Sequence, residues 1–302
     1  MTSRPGAALE AFAEEVGAEG PVAAAGGRTQ WSLGGELDPA ARVVRAPAGI
    51  CEYNPAEMTV RVLAGTPTDE LAAALGERGQ YANLPVRPGG TVGGALAAGR
   101  STLGRLGRGP IRETLLQLRW VSAEGVLVKA GGPVVKNVTG FDLCRLAVGS
   151  LGTLGLFGEV ILRTRPLPAV SRWFAGEVEP WGLRSRFYWP GAILWNGSRT
   201  WLLLEGHAGD VADDAAVAAR LGLAETDSPP DLGPHRLSLR PSALPGFAAP
   251  EGFVAEVGVG VVHLRAPAPP PAVDPVVAEL NQRVKAAFDP IGRLNPGRRV
   301  LP

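Results

Sequence analysis

Cysteine is scarce, with Cys51 and Cys144 standing alone in 302 residues. Two cysteines cannot build a disulfide framework, and they have no histidine partners at zinc-site spacing. Both read as reduced packing residues. Histidine is almost as rare, at His207, His235 and His263. An excess of charge is missing too: 30 Lys plus Arg face 29 Asp plus Glu. That balance argues against a general nucleic-acid-binding face. No run of about 18 apolar residues occurs, which excludes a membrane-spanning helix. The start MTSRPGAALEAF has no apolar stretch of signal-peptide length, so a cytoplasmic location is expected. There is no G-x-G-x-x-G opening a helix after the first strand, and no G-x-x-x-x-G-K-[ST]. G-x-S-x-G and H-E-x-x-H are absent as well, which removes the common hydrolase and zinc-protease chemistries.

Glycine, by contrast, is abundant at 41 residues, and hydrophobic residues make up 45%. The length suits two domains or one large α/β unit with a sizeable core. Residues 7–16 carry Leu9, Phe12 and Val16 at helical spacing, and 58–64 alternate as a strand. Thr66 reads as a helix cap, followed by Pro67 in the first helical position and Asp69 beyond it. Strands are expected at 115–121, 126–129 and 159–163, and a helix near 143–148. Composition changes after Pro168: Trp173, Trp181, Trp189, Trp195, Trp201 and His263 all follow it. Strands are expected at 201–205 and 253–264, with a helix at 211–221. A proline-rich linker at 266–271 precedes a last helix bearing Val276, Leu280, Val284 and Phe288 on one face.

Three glycine segments carry the functional signal: Gly26-Gly27-Arg28-Thr29-Gln30, Pro88-Gly89-Gly90-Thr91-Val92-Gly93-Gly94 and Gly149-Ser150-Leu151-Gly152-Thr153-Leu154-Gly155. Glycine lets backbone N–H groups converge on an anion, and neighbouring Thr and Ser add donors. Any one segment is better explained by a tight turn. All three, each between recognisable elements, favour a large phosphate-bearing ligand.

The order of these motifs resembles the FAD-binding domain of the vanillyl-alcohol-oxidase, or PCMH-type, flavoproteins. G-T-V-G-G at 90–94, G-S-L-G-T-L-G at 149–155 and the tail Asp289-Pro290 with Asn295-Pro296-Gly297 carry the likeness. Within that family, Lys136-Asn137-Val138-Thr139-Gly140-Phe141-Asp142-Leu143 and Ala64-Gly65-Thr66-Pro67 resemble the E-type subunits of glycolate oxidase. The likeness covers residues 20–168 and the last fifteen residues. It implies an α+β fold, a PCMH-type two-subdomain FAD-binding domain with a shortened α/β cap. The implied domains are 1–168 for FAD, 169–268 for the cap, and 269–302 as a helix and tail returning to the first.

Carried over by resemblance, Gly26, Gly27, Arg28, Thr29 and Gln30 would hold the pyrophosphate. Pro88, Gly89, Thr91 and Gly93 would line the flavin, with Gly99 and Gly109 close by. Asn137 and Asp142 would lie along the cofactor, the alternative being a turn with Asp142 as a helix cap. Gly149, Gly152, Thr153 and Gly155 would border the adenosine half, with Val160 contacting adenine through its backbone and Asn295 near the flavin ring. No His or Cys falls in the first glycine loop, so FAD would be held non-covalently.

Two departures matter. Arg28 stands where many relatives have small or amide residues. In the cap, Val257 to His263 is the stretch comparable to the family's metal and substrate motif; His263 alone remains of it, and no metal is expected. Arg100, Arg105, Arg108 and Arg112 could neutralise phosphate, receive an acidic substrate or form a solvated loop. The resemblance therefore implies an accessory or electron-relay FAD subunit beside a D-type flavoprotein and an iron–sulfur subunit. A stand-alone FAD-dependent 2-hydroxy-acid dehydrogenase and a flavin-free scaffold subunit are the alternatives. Such a complex, not the chain itself, would provide any attachment at a membrane.

Overall fold

The computed structural model describes residues 5–133, 142–269 and 272–300. In chain order it opens with α1 (Pro5–Val16), β1 (Val22–Ala24), β2 (Arg42–Val44), β3 (Ile50–Asn54) and β4 (Thr59–Leu63). Next come α2 (Thr68–Gly76), β5 (Gln80–Ala82), α3 (Val92–Ala98), α4 (Arg105–Arg108), β6 (Leu115–Val121) and β7 (Leu127–Gly131). Then follow α5 (Leu143–Ala147), β8 (Leu156–Pro166), β9 (Val170–Gly176), β10 (Pro190–Trp195) and β11 (Thr200–Gly206). The chain continues with α6 (Ala208–Arg220), β12 (Ala224–Thr226), β13 (His235–Ser238), β14 (Phe253–Glu256), β15 (Val261–Leu264) and α7 (Pro275–Phe288). Two compact units result. The first comprises residues 1–102, 111–167 and 273–302; the second comprises 103–110 and 168–272.

The first unit is built on an antiparallel sheet of order β3-β4-β8-β6-β7, with β5 pairing the far end of β8. β8 is its central strand. It runs eleven residues, not the five its sequence suggests, and nearly all are buried. Val60, Val62, Leu118, Val160 and Leu162 on the sheet pack against Leu71 and Leu75 of α2 and Leu96 of α3. A parallel pair, β1 with β2, stands beside a smaller core of Phe12, Val16, Val22, Val121 and Leu294. The tail joins that pair: Val22 and Leu294 form an isolated parallel bridge.

The second unit is a seven-stranded antiparallel sheet of order β12-β9-β11-β10-β14-β15-β13. Ile193, Leu202, Leu204 and Phe174 pack under Val211 and Ala218 of α6. Trp195, Phe253, Val262 and Leu264 form a second core with Leu244. Trp195 meets Trp181 and Phe253 edge-on, with ring centroids 5.2 and 5.4 Å apart. Tyr188 and Trp189, by contrast, are exposed.

Three local expectations change. α2 starts at Thr68 with no side-chain cap, because Thr66 is fully buried and its Oγ1 accepts from the Gly49 N–H at 2.8 Å. Residues 253–264 form a hairpin rather than one strand, turning through Val257–Gly260. Residues 92–98, read only as glycine-rich, form a helix capped by Thr91, whose Oγ1 accepts from Gly94 N–H at 3.2 Å.

Candidate functional site

A cleft opens in the first unit where the loop after β1, the start of α3, the turn before β8 and the C-terminal tail converge. Residues 26–30, Thr91, Gly93, Gly152 and Asn295 all line it. Four segments far apart in sequence thus meet at one wall. Backbone contacts hold them there. Val92 N–H donates to Thr66 O at 2.9 Å and Gly93 N–H to Ala64 O at 2.7 Å, pinning α3 on the turn after β4. Leu151 N–H donates to Ala97 O at 2.9 Å, laying the third glycine segment across α3.

Two glycines are required by these approaches. A Cβ on Gly27 would overlap the carbonyl oxygen of Gly89, so the first and second glycine segments touch backbone to backbone there. The need for glycine at 27 therefore comes from loop-on-loop packing, not only from room for a phosphate. Gly152 has φ +71°, and a Cβ there would lie 2.6 Å from Nδ2 of Asn295. That same amide donates to Leu151 O, which closes the tail onto the turn.

The tail is fixed by groups the sequence did not announce. Arg293 is buried, and its guanidinium donates to five carbonyls: Val16, Gly17, Glu19, Gly20 and Ala123, at 2.8–3.0 Å. The buried Asp289 carboxylate accepts from the N–H groups of Arg293 at 3.0 Å and Leu294 at 2.7 Å. Arg298 Nη1 donates to Leu33 O at 3.2 Å and to Gly35 O. These bonds place Asn295, at φ +44°, on the cleft wall. Trp31 and Arg298 are lining residues that motif reading missed. A Trp next to the first loop and the basic residue after Asn-Pro-Gly were the available signals.

The remaining expected residues lie elsewhere. Pro88 and Gly89 belong to the loop packed on Gly27, off the cleft wall. Gly99 and Gly149 lie against each other, since a Cβ on Gly99 would meet Gly149 Cα at 2.6 Å. Thr153 is buried, its Oγ1 donating to Ser150 O at 2.7 Å, and Gly155 abuts Trp120. Val160 is fully buried in β8, flanked by Val62 and Leu118 in the sheet, which places it in the core rather than on the cleft. Asp142 caps α5, accepting from Arg145 N–H at 2.9 Å. Gly109 belongs to the second unit. Asn137 lies outside the described residues, as do 136 and 138–141.

The cleft wall fits a dinucleotide. Its polar surface comes from a glycine loop, a threonine, an asparagine and two guanidiniums, with no carboxylate among its lining residues. Gln30 Oε1 is buried there without a hydrogen-bond partner, an acceptor awaiting a donor. Among the described residues neither Cys nor His lines the cleft. Cys144 is buried, its thiol directed at Leu116 O and Ala130 O, and burial pushes it up to about 11.

The second unit corrects the reading of His263. Its Nε2 lies 2.9 Å from Oε1 of Glu256. The two are seven residues apart, and the hairpin makes them diagonal neighbours on one sheet face. His263 therefore does not stand alone, and Arg236 lies directly across from it on β13. Of the arginines at 100–112, Arg108 is held by Glu205. Burial, and then the like charge of Arg87, depress the Arg100 guanidinium. His207 precedes α6 without a capping bond, and His235 opens β13. Among the described residues no group of three or more His, Cys, Asp or Glu is placed to hold a metal, and no helix is long and apolar enough to cross a membrane.

Comparison with known proteins agrees with this geometry. Residues 7–131 match the model of a family described as FAD binding domain. The chain is 30% identical over 263 residues to glycolate oxidase subunit GlcE of Escherichia coli (strain K12), covering 81% of this chain and 70% of that one. It is 32% identical over 127 residues to glycolate oxidase subunit GlcD of Bacillus subtilis (strain 168), covering 41% of this chain and 27% of the relative. Among solved structures, an alkyldihydroxyacetonephosphate synthase superposes with a TM-score of 0.62 at 12% identity, over 91% of this chain and 71% of that one, a likeness of fold. The chain belongs to the PCMH-type FAD-binding oxidoreductase family, on the branch that includes the E-type subunit of glycolate oxidase.

Proposed function

We propose that this chain is the FAD-carrying E-type subunit of a glycolate-oxidising complex, acting as an accessory or electron-relay flavoprotein. Its partners would be a D-type flavoprotein subunit and an iron–sulfur subunit. The observation that carries the reading is the convergence of Gly26–Gln30, Thr91, Gly93, Gly152 and Asn295 on one cleft of the first unit. In this reading 1–168 and the returning tail make the FAD domain, and 169–268 the shortened cap. Bound FAD supplies a two-electron acceptor. The chain's own residues orient it, keep its phosphates neutralised and limit water around it. Non-covalent attachment is supported by a wall without Cys or His and by a Cys144 thiol that stays protonated and buried.

A second reading, a stand-alone dehydrogenase for a small 2-hydroxy acid, is favoured by one observation. Glu256 orients the His263 ring, as a carboxylate does for a general base. The deciding experiments are co-purification of the chain with tagged D-type and iron–sulfur subunits and, because the D-type subunit is itself a flavoprotein, acid precipitation of this chain purified by itself. Flavin should appear in the supernatant, and glycolate should reduce the complex. A purified chain that carries no flavin and does not bind FAD when offered it would sink both readings.

A further inference from the structure

Arginine in this cleft is not explained by the glycine loops. Arg28 stands in the first loop in the left-handed region, at φ +55°, an uncommon conformation for a side chain of its size. Its guanidinium carbon lies 4.8 Å from the centroid of the Trp31 ring. That of Arg298, from the C-terminal tail, lies 5.0 Å from the same centroid. Docked on one indole, the two cations can be no more than about 10 Å apart. Among the described residues neither is paired with a carboxylate. Arg298 is steadied by the carbonyls of Leu33 and Gly35, while burial holds its guanidinium below the ordinary value. Two like charges gathered on one platform, with no acid among the described lining residues, favour an anion of more than one charge.

We propose that Arg28 and Arg298, docked on Trp31, form a two-arginine clamp for the diphosphate bridge of FAD. The clamp rests on the FAD reading above and deepens it. It makes affinity depend on the dinucleotide's charge, and it divides the site between the first loop and a tail about 270 residues away. The tail thus takes part directly in holding the cofactor.

The test uses the full chain stripped of flavin and titrated with FAD and with riboflavin, followed by flavin fluorescence at low and high salt. Arg28→Gln and Arg298→Gln should each weaken FAD at least about tenfold while leaving riboflavin within about twofold. The salt dependence of FAD binding should become shallower in both. Arg298→Gln also removes bonds that hold the tail. Among the described residues the Arg28 side chain makes no bond to the backbone, so Arg28→Gln reads the cation on Trp31, with thermal melts confirming the fold. FAD affinity unchanged in Arg28→Gln, or FAD and riboflavin falling together, overturns the clamp and leaves FAD binding standing. A wild-type chain that binds neither flavin overturns the FAD reading and the clamp with it.

Discussion

At the scale of single residues, the tail depends on one guanidinium. Arg293 satisfies five carbonyls from the segment after α1 and the β6–β7 turn. Removing it takes a bond from each of the five, those to Val16 and Ala123 being buried, and leaves Val16 O with Arg42 Nη2 as its side-chain donor. Arg293→Ala should therefore cost about 3–5 kcal/mol. In a chain of this size that is a fall in Tm of roughly 5–8 °C, read by calorimetry or circular dichroism. Lysine at 293 should recover little, because a point ammonium cannot span the five oxygens. Gly27 gives a second prediction at this scale. Even alanine there overlaps Gly89 O, so Gly27→Ala should lower thermal stability and FAD loading together. Loss of FAD with unchanged Tm would show that glycine is needed for the ligand alone. Cys144 sets a pH dependence. Its thiol rises from 9.0 unfolded to about 11 folded, so between those values the native state holds the proton that the unfolded state releases. Stability from this group is complete below about pH 9 and is lost as pH rises toward 11. Cys144→Ala should flatten that alkaline decline in urea melts collected from pH 8 to 11.

At the scale of elements, α7 separates what periodicity can and cannot tell. Val276, Leu280, Val284 and Phe288 are spaced for one face, as the sequence indicates. Phe288 packs against the main core of the first unit, yet Val276 is 72% exposed and Leu280 55%. Leu280→Gln should change stability by no more than about 0.5 kcal/mol, whereas Phe288→Ala should cost about 2 kcal/mol or more in denaturant melts. Periodicity fixes which side chains share a face, but not how much of that face finds a neighbour. β4, whose burial alternates along most of its length, was legible from alternation. β8 is buried on both faces along most of its length and carries Glu159, Arg163, Thr164 and Arg165 within it, so neither alternation nor an unbroken apolar run marks its true length. α3 was hidden because two glycines of low helix propensity open it, and its cap and close packing outweigh that penalty.

At the scale of the whole molecule, the family was legible because several spaced motifs in fixed order are far more specific than any one glycine turn. The site was only half legible for the same reason. Motif order named the loops but could not say which of their residues face the cleft. It also passed over Trp31, Arg293 and Arg298, which matter through contacts spanning nearly the whole sequence. His263 illustrates the same gap, since its partner Glu256 is seven positions back and only a hairpin brings them together. That pairing decides how the last prediction is argued. Hydroxy-acid oxidation needs a base within reach of the hydroxyl proton and a positive group for the carboxylate. Glu256 is buried, and a buried carboxylate needs a partner on stability grounds alone. His263 Nε2 supplies that partner, so the pairing has a structural reason that needs no substrate. The isolated, FAD-loaded chain is therefore expected not to be bleached by glycolate or D-lactate on mixing without oxygen, while the assembled complex is. His263→Gln keeps a hydrogen bond to Glu256 but cannot act as a base. If the chain alone bleaches rapidly and this substitution abolishes it without lowering Tm, the pair is catalytic and the accessory role gives way to a dehydrogenase acting on its own.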